Sequence, residues 1–389
     1  MPNIQTTNGS QPNIINGTIR VVCIVQRSPD GLATRMLTTI PDMRVSIGIF
    51  AHNEEKQIGR LLASLADQHL VACAAARGMS VEIITLANGC TDLTEETARA
   101  ANADLQRRQP AVRTRTEVIS ETGKSNAWNI YVHRFSDPSS DFLIFMDADI
   151  TLIGAQTLWL LVETLVKNES GHVSVDSILK DLALKKTPSL VERVSLRATF
   201  LTQAGPLKLA GSLYCARARI VRKIWMPRGL LVEDGFLKAM ITTDRFTMPE
   251  DPSRLVRAEK AAHTFHAITE PLALLRHEVR LLIGTWMNRV LFAHLQKQVC
   301  ETNQPAGDLV RAWNDSEPNW LQSLLRAAPT YGTFLGFSGS VIILPVRQAL
   351  TLPRANRLKG LATALLRSVL TCCALVFAGT LIRKRIYKW

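Results

Sequence analysis

The sequence predicts an α/β fold: a parallel sheet with helices on both faces, followed by a helical C-terminal region. Three observations predict it. Apolar runs of strand length alternate with amphipathic segments of helical period from about residue 43 to 150. Polar clusters close those runs. Beyond about residue 270, long helical periods and apolar stretches take over.

Val45–Phe50 reads as the first buried strand, followed by an acidic turn at Asn53, Glu54 and Glu55 that also suits an N-cap. The helix after it runs to Gln68 and sets Ile58, Leu61, Leu62 and Leu65 on one face. Val81–Leu86 repeats the pattern, with a turn at Asn88–Asp92 and a helix over Leu93–Arg107. A short strand at Glu117–Ser120 leads through Gly123 into a helix near His133. Phe142–Met146 is the fourth strand, and it ends in Asp147, Ala148 and Asp149. In parallel sheets of this kind ligands bind outside the carboxyl ends of the strands. The polar loops 51–55, 87–92 and 147–149 all follow strands, so they are expected on one rim.

The 389 residues are 47% hydrophobic and 20% charged, enough for one large domain with an appendage or for two ordinary domains. The formal net charge is +13, and residues 271–389 hold 15 Lys and Arg against 5 Asp and Glu. Because this excess lies among apolar stretches, it fits an anionic membrane surface and argues against nucleic acid. The seven cysteines show no Cys-x-x-Cys spacing and read as reduced thiols, without a zinc ribbon or disulfide framework. Cys372 and Cys373 are expected as buried helix thiols, with acylation as the alternative. Residues 1–42 read as a disordered, Asn-rich leader with a short strand near Ile19–Val25, and Met1–Thr18 lacks the pattern of a secretory signal.

Pro271–Lys297 has a helical period with Leu272, Leu275, Val279, Leu282 and Ile283 apolar and Arg276, Arg280 and Arg289 basic, a pattern that can lie on a membrane. Two apolar candidates follow. Pro329–Val346 is free of charge but broken by Gly, Ser and Pro, and Leu361–Ile382 is interrupted only by Arg367. A spanning helix needs about 20 apolar residues, so one or two membrane segments, or an interfacial placement, are expected.

Asp147 and Asp149 stand i, i+2, and on an extended backbone both carboxylates leave the same side. There they can face a hard divalent ion that itself holds a diphosphate. A solvated turn is the other reading of these residues alone.

Phe50–Glu55, Asn88–Asp92, Gly123–Asn129, Asp147–Asp149 and the pair Glu233–Asp234 resemble, in order and spacing, the family 2 glycosyltransferases with the GT-A fold, over roughly residues 43–285. The resemblance implies a Rossmann-like GT-A domain of the nucleotide-diphospho-sugar transferases at 43–270 and a membrane-associated helical region at 271–389. It assigns Ala51, Asn53 and Glu54 or Glu55 to the nucleoside. Asn88 stands where the family carries an Asp that contacts the base, and its amide can still read a uracil edge. Asp92 reads as a helix cap. Lys124, at a helix start, falls beside the donor diphosphate. Asp149 takes Mg2+ or Mn2+, and Asp147 takes the same ion or a ribose or sugar hydroxyl. Asp234 is the catalytic base, with Glu233 beside it. Gly211 belongs to a small-residue segment that admits the acceptor. His277 and Arg280 occupy the place where membrane polysaccharide synthases carry Gln-x-x-Arg-Trp, of which only the Arg is kept.

The resemblance therefore implies an inverting, metal-dependent transferase moving a hexose or N-acetylhexosamine from a nucleoside-diphosphate sugar, a UDP-sugar first among candidates, to a lipid-linked or glycan acceptor. The catalytic domain is expected on the cytoplasmic side of a membrane, the inner membrane in a bacterium. A processive synthase-like enzyme and a non-catalytic nucleotide-sugar binder are the alternatives. A sugar nucleotidyltransferase is disfavoured by the missing Gly-rich phosphate loop near the first strand.

Overall fold

A computed structural model describes residues 43–184, 207–268, 270–328, 330–352 and 354–385. The leader and strand expected within 1–42 lie outside the described residues. Among the described residues eight strands form one sheet: β1 (Arg44–Ala51), β2 (Ser80–Asn88), β3 (Arg113–Ile119), β4 (Phe142–Asp147), β5 (Thr151–Ile153), β6 (Val173–Lys180), β7 (Leu213–Arg217) and β8 (Leu255–Phe265), in the order β3-β2-β1-β4-β7-β6-β8-β5. The four strands expected from sequence make the parallel half, with Val45 level with both Val81 and Phe142. The other half is mixed: β7 runs antiparallel to β4 and β6, and β8 is parallel to β6 but antiparallel to β5.

Period-two alternation divides the core between the two faces of the sheet. Ile47, Ile49, Ile144 and Met146 pack on one face against the helices Ile58–Leu65, Thr94–Arg108 and Thr157–Lys167. Phe50, Leu143 and Phe145 face the other way, where Trp128, Phe145 and Tyr214 stack with centroid spacings of 5.5 and 4.5 Å. Trp128 Nε1 donates to the Tyr214 hydroxyl (2.8 Å), which satisfies the indole inside the core.

The second face continues into the C-terminal part. Pro271 opens a 32-residue helix, Pro271–Thr302, and the Glu270 carboxylate accepts the Leu272 and Ala273 N–H groups (3.2 and 2.6 Å). Val279, Leu282, Ile283, Trp286, Met287, Leu291 and Leu295 are buried with Phe236, Leu237 and Met240 in one cluster. Burying each such side chain is worth about 1.5–3 kcal/mol. From Val279 onward the apolar stripe seen in the sequence therefore packs into the protein instead of facing a membrane, while Leu275 is partly buried and Leu272 is exposed.

The helices Thr330–Leu350 and Arg354–Arg383 pack side by side, with Ser368 Oγ donating to the Ile342 carbonyl (3.0 Å). Among the described residues one helical stretch, Gly360–Arg383, is long and apolar enough to cross a membrane, and Val341–Leu350 in the preceding helix is a shorter apolar stretch. Along Gly360–Arg383, Ala364, Thr371, Ala374, Leu375, Ala378 and Ile382 are buried. Leu365, Leu366, Val369, Val376 and Phe377 are exposed, together with Cys372 and Cys373. Their spacing puts these seven on one face, so the cysteine pair is not buried as expected.

Candidate active site

Strand ends bring the polar loops to one rim, and hydrogen bonds lock them together. Ala148 N–H donates to the Phe50 carbonyl (3.0 Å). Asn53, in the left-handed region (φ 57°) that Asn tolerates, accepts from Thr91 N–H through Oδ1 (2.8 Å). Glu55 Oε2 accepts Leu93 N–H (3.1 Å), and Glu55 N–H donates to Asp92 Oδ2 (3.2 Å). The cap expected at Asn53 is therefore absent: that side chain holds the second loop, and the first helix begins after Gln57. Asp92, one residue before the N-cap Leu93, accepts Thr94 N–H (3.0 Å) at the start of Thr94–Arg108.

Asn88 is buried and its side chain is committed. With the amide turned so that its nitrogen faces Glu121 and its oxygen faces Gly123, it donates to the Glu121 carbonyl (3.0 Å) and accepts Gly123 N–H (3.3 Å), which ties the end of β2 to the turn before Lys124. The amide expected to read the base faces the turn at Glu121–Gly123. Gly89 beside it has φ 58°, and a Cβ there would lie 2.1 Å from Thr122 Cγ2, so only glycine suits the turn. Ala51 is buried, and its carbonyl accepts from Cys90 Sγ (3.5 Å).

Lys124 begins the helix Lys124–Ile130 and lies at the centre of the charge. Its Nζ is 2.6 Å from Asp147 Oδ1, 3.2 Å from Glu233 Oε1 and 3.1 Å from the Gly211 carbonyl. Burial alone would lower the ammonium pKa, but Asp147 and then Glu233 outweigh it and hold the group well above its ordinary value. In this arrangement Lys124 pairs with two carboxylates, where the sequence placed it beside a diphosphate. A Cβ on Gly211 would come within 2.8 Å of Glu233 Oε1 and 3.3 Å of Lys124 Nζ, so the lack of a side chain lets the cluster close.

The chain turns after Asp147, so the two aspartates do not share an extended backbone: Asp149 is exposed in the turn while Asp147 is partly buried. Glu54 is the glutamate that faces them. Burial first, then the charges of Asp149 and Asp147, raise its carboxyl to about 7. Burial also raises Asp147, with Asp149 and Glu233 acting in the same direction and Lys124 opposing.

Glu233 and Asp234 open the helix Glu233–Thr242, held against Pro271–Thr302 by Asn288 Nδ2 donating to the Val232 carbonyl (2.8 Å). Burial, then the Glu233 charge, push the Asp234 carboxyl up to about 6, against the Gly235 N–H that it accepts (2.7 Å) and the charges of Lys124 and Arg280. Arg280 thus acts on the same corner. His277, one turn earlier and half-buried, has its pKa lowered by burial and by Arg280.

The structure therefore brings together Glu54, Lys124, Asp147, Asp149, Gly211, Glu233, Asp234 and Arg280, and uses Asn53, Glu55 and Asn88 to fasten the loops that carry them. Sequence reasoning missed a buried chain behind this corner. Asp176 Oδ2 lies 2.7 Å from His263 Nδ1, whose Nε2 lies 3.0 Å from Ser212 Oγ, and the Ser212 carbonyl accepts Asp147 N–H (2.9 Å). Its members come from β6, β8 and the start of β7, a half of the sheet with no strong apolar signal.

Among the described residues no three His, Cys, Asp or Glu side chains are arranged to hold a metal by themselves. Mg2+ in phosphate-transfer sites takes one or two carboxylates and fills its shell with substrate phosphates and water, so Asp149 and Asp147 fit that chemistry. The like charges that raise Glu54 are the kind of strain a divalent cation relieves.

Residues 46–217 match the family model described as glycosyl transferase family 2. No curated protein matches the chain. Among solved structures it is similar to a mycobacterial protein, with 21% identity over 63% of this chain and 73% of that one, at a TM-score of 0.42. It is also similar to glucosyl-3-phosphoglycerate synthase from Mycobacterium tuberculosis. The complex with Mn2+, uridine-diphosphate-glucose and glycerol 3-phosphate shows 22% identity over 60% and 75% of the two chains, TM-score 0.39. The complex with Mg2+ and uridine-diphosphate shows 20% over 60% and 74%, TM-score 0.38.

Proposed function

We propose that this chain, whose residues 46–217 match the family model of glycosyl transferase family 2, is an inverting, metal-dependent enzyme that moves a hexose or N-acetylhexosamine from a UDP-sugar to a lipid-linked or glycan acceptor. The observation that carries this reading is the position of Asp234. Its carboxyl, raised to about 6, shares one charged corner with Lys124 and Asp147, where the carboxyl end of β4 opens.

At neutral pH Asp234 is ionised yet basic enough to accept a proton. In the proposed step it takes the acceptor hydroxyl proton as that oxygen attacks the anomeric carbon, and the bond to the nucleoside diphosphate breaks on the opposite face. Asp149 and Asp147 would hold Mg2+ or Mn2+, which supplies charge stabilisation to the leaving diphosphate. Lys124 fixes the separation of Asp147 and Glu233, and the start of its helix would favour an anion beside them. Glu54 serves the ribose side. Gly211 leaves the gap for the acceptor, with Arg280 and His277 on the acceptor side.

The exposed apolar face of Gly360–Arg383 supports membrane attachment, since exposed apolar stripes of this length mark interaction surfaces. The free thiols at Cys73, Cys90, Cys215 and Cys300 suit a catalytic domain on the reducing, cytoplasmic side. The test is to incubate the purified full chain with UDP-, GDP- and dTDP-sugars and Mg2+ or Mn2+ and to identify the nucleoside diphosphate released. UDP is expected; release from no donor sinks the proposal.

A further inference from the structure

At the end of the sheet remote from Asp147, four chain segments bring cations to one cavity of about 220 Å³, lined by His172, Arg219, Lys223, Asp244, Arg245 and Arg254 over an apolar floor of isoleucine and methionine. The place is distinct from the rim described above. Leu213 pairs with Met146 near the rim, whereas Arg217 pairs with Phe142, four residues down β7 and about 14 Å away at strand rise. Arg219 and Lys223 follow on the next turns, His172 precedes β6, and Arg254 precedes β8.

Three arginines and a lysine meet a single lining carboxylate. Asp244 is already taken by Arg245, with contacts of 3.1 Å to Nε and Nη2. Arg254 is oriented by its Nη1 donating to the Ile241 carbonyl (3.0 Å) and by Asp251, 3.6 Å from Nε and outside the lining. Arg219 and Lys223 are exposed and have no carboxylate partner among the described residues. Each guanidinium has five N–H donors, so most of this donor capacity is unspent. His172 Nδ1 is buried without a hydrogen-bond partner.

The backbone is also bent to make this arrangement. Asp244, Arg245 and Phe246 are three consecutive non-glycine residues in the left-handed region, with φ of 44°, 61° and 64°, and the Arg245 carbonyl is fixed by Ala306 N–H (3.0 Å). Left-handed runs of this kind are costly for L-residues and concentrate where a side chain must be aimed. The crowded like charges lower in energy when a counter-charge with several acceptor oxygens enters, which is what a phosphate group provides. The cavity is smaller than the roughly 300–1,000 Å³ of pockets for drug-sized ligands, so it fits a small anion or the head of a larger molecule.

We propose that this cavity is a phosphate-binding site, separate from the nucleotide-sugar rim, in which Arg219, Lys223, Arg245 and Arg254 grip the oxygens of a phosphate monoester or inorganic phosphate. The experiment is calorimetric titration of the full chain in detergent with inorganic phosphate, at constant ionic strength against chloride, for wild type and for the variant Arg219→Ala/Lys223→Ala. Both residues are exposed, so the variant is expected to keep its fold, checked by circular dichroism, and Lys223→Arg is expected to retain binding. Loss of two charge-assisted contacts is expected to weaken phosphate binding at least about ten-fold. Competition with mixed micelles of the same detergent carrying phosphatidic acid, against micelles carrying phosphatidylcholine, identifies the source: competition by phosphatidic acid alone marks a lipid headgroup, and none marks a soluble phosphate. No phosphate-specific heat in the wild type, or heat unchanged in the double variant, overturns the site.

Discussion

Replacement of Asp234 by Asn isolates the proposed base, because the amide keeps the shape and its oxygen can still accept Gly235 N–H while losing the ability to take a proton. With the carboxyl at about 6, the group is about 90% ionised at pH 7 and about 10% at pH 5, so wild-type kcat/KM falls about nine-fold across that interval. In the variant kcat falls about 10²–10⁴-fold and this acid limb disappears. Stability moves the other way. A carboxyl raised above its unfolded value contributes stability that is full below the unfolded pKa near 3.8 and is lost as pH rises through about 6. At pH 7 the wild type has therefore lost that contribution, and the neutral amide is expected to stabilise the fold by about 3 kcal/mol, with no gain at pH 3. The assay is nucleoside-diphosphate release against pH, paired with denaturant unfolding. Wild-type turnover in the variant, or an unchanged acid limb, refutes the base assignment.

Glu54, raised to about 7 by burial and by Asp149 and Asp147, ionises when a cation joins those aspartates. Donor-plus-metal affinity should thus rise with pH between 6 and 8 with release of a proton, and Glu54→Gln should flatten that dependence; calorimetry in buffers of different ionisation enthalpy reads both. His263→Ala leaves the buried Asp176 carboxylate unpaired and is expected to destabilise by about 3–5 kcal/mol. Adding Asp176→Asn should recover part of that loss in denaturant unfolding, whereas additive losses would show the two side chains to be uncoupled. Replacing the exposed Leu366, Val369 and Phe377 by Ser removes apolar burial worth at least about 1.5 kcal/mol each on a membrane. Vesicle partitioning is expected to fall about a thousand-fold or more, with nucleotide release in detergent preserved; unchanged partitioning would place the membrane contact elsewhere.

β1, β2 and β4 were legible because they are buried on both faces and read as near-continuous apolar runs between polar turns, whereas the edge strand β3, Arg113–Ile119, carries Arg113, Arg115 and Glu117 and was expected only at Glu117–Ser120. β8 gave no such signal: Arg257, Glu259 and Lys260 interrupt it, and its inward residues include Ala258, Ala261 and His263. The loops of the site could be placed from strand order, but the tasks of their side chains depended on partners distant in sequence. Asn53 meets Thr91, Asn88 meets the turn before Lys124, and Lys124 meets Asp147 and Glu233. The stripe on Pro271–Thr302 was read correctly as apolar, yet period alone does not say whether protein or lipid covers it, and Phe236 and its neighbours do. On Gly360–Arg383 the opposite holds: sequence showed a nearly uniform apolar run, and packing of Ala374 and Ala378 left the face with Cys372 exposed.

The most direct test of the rim as the sugar-donor centre is release of nucleoside diphosphate from a UDP-sugar by wild type, Asp147→Asn and Asp149→Asn, with Mn2+ saturating. Both variants are expected to lose at least about a hundred-fold in rate, a loss of about 3 kcal/mol in transition-state stabilisation. Release at the wild-type rate from either variant would contradict the assignment of the aspartate pair to that centre.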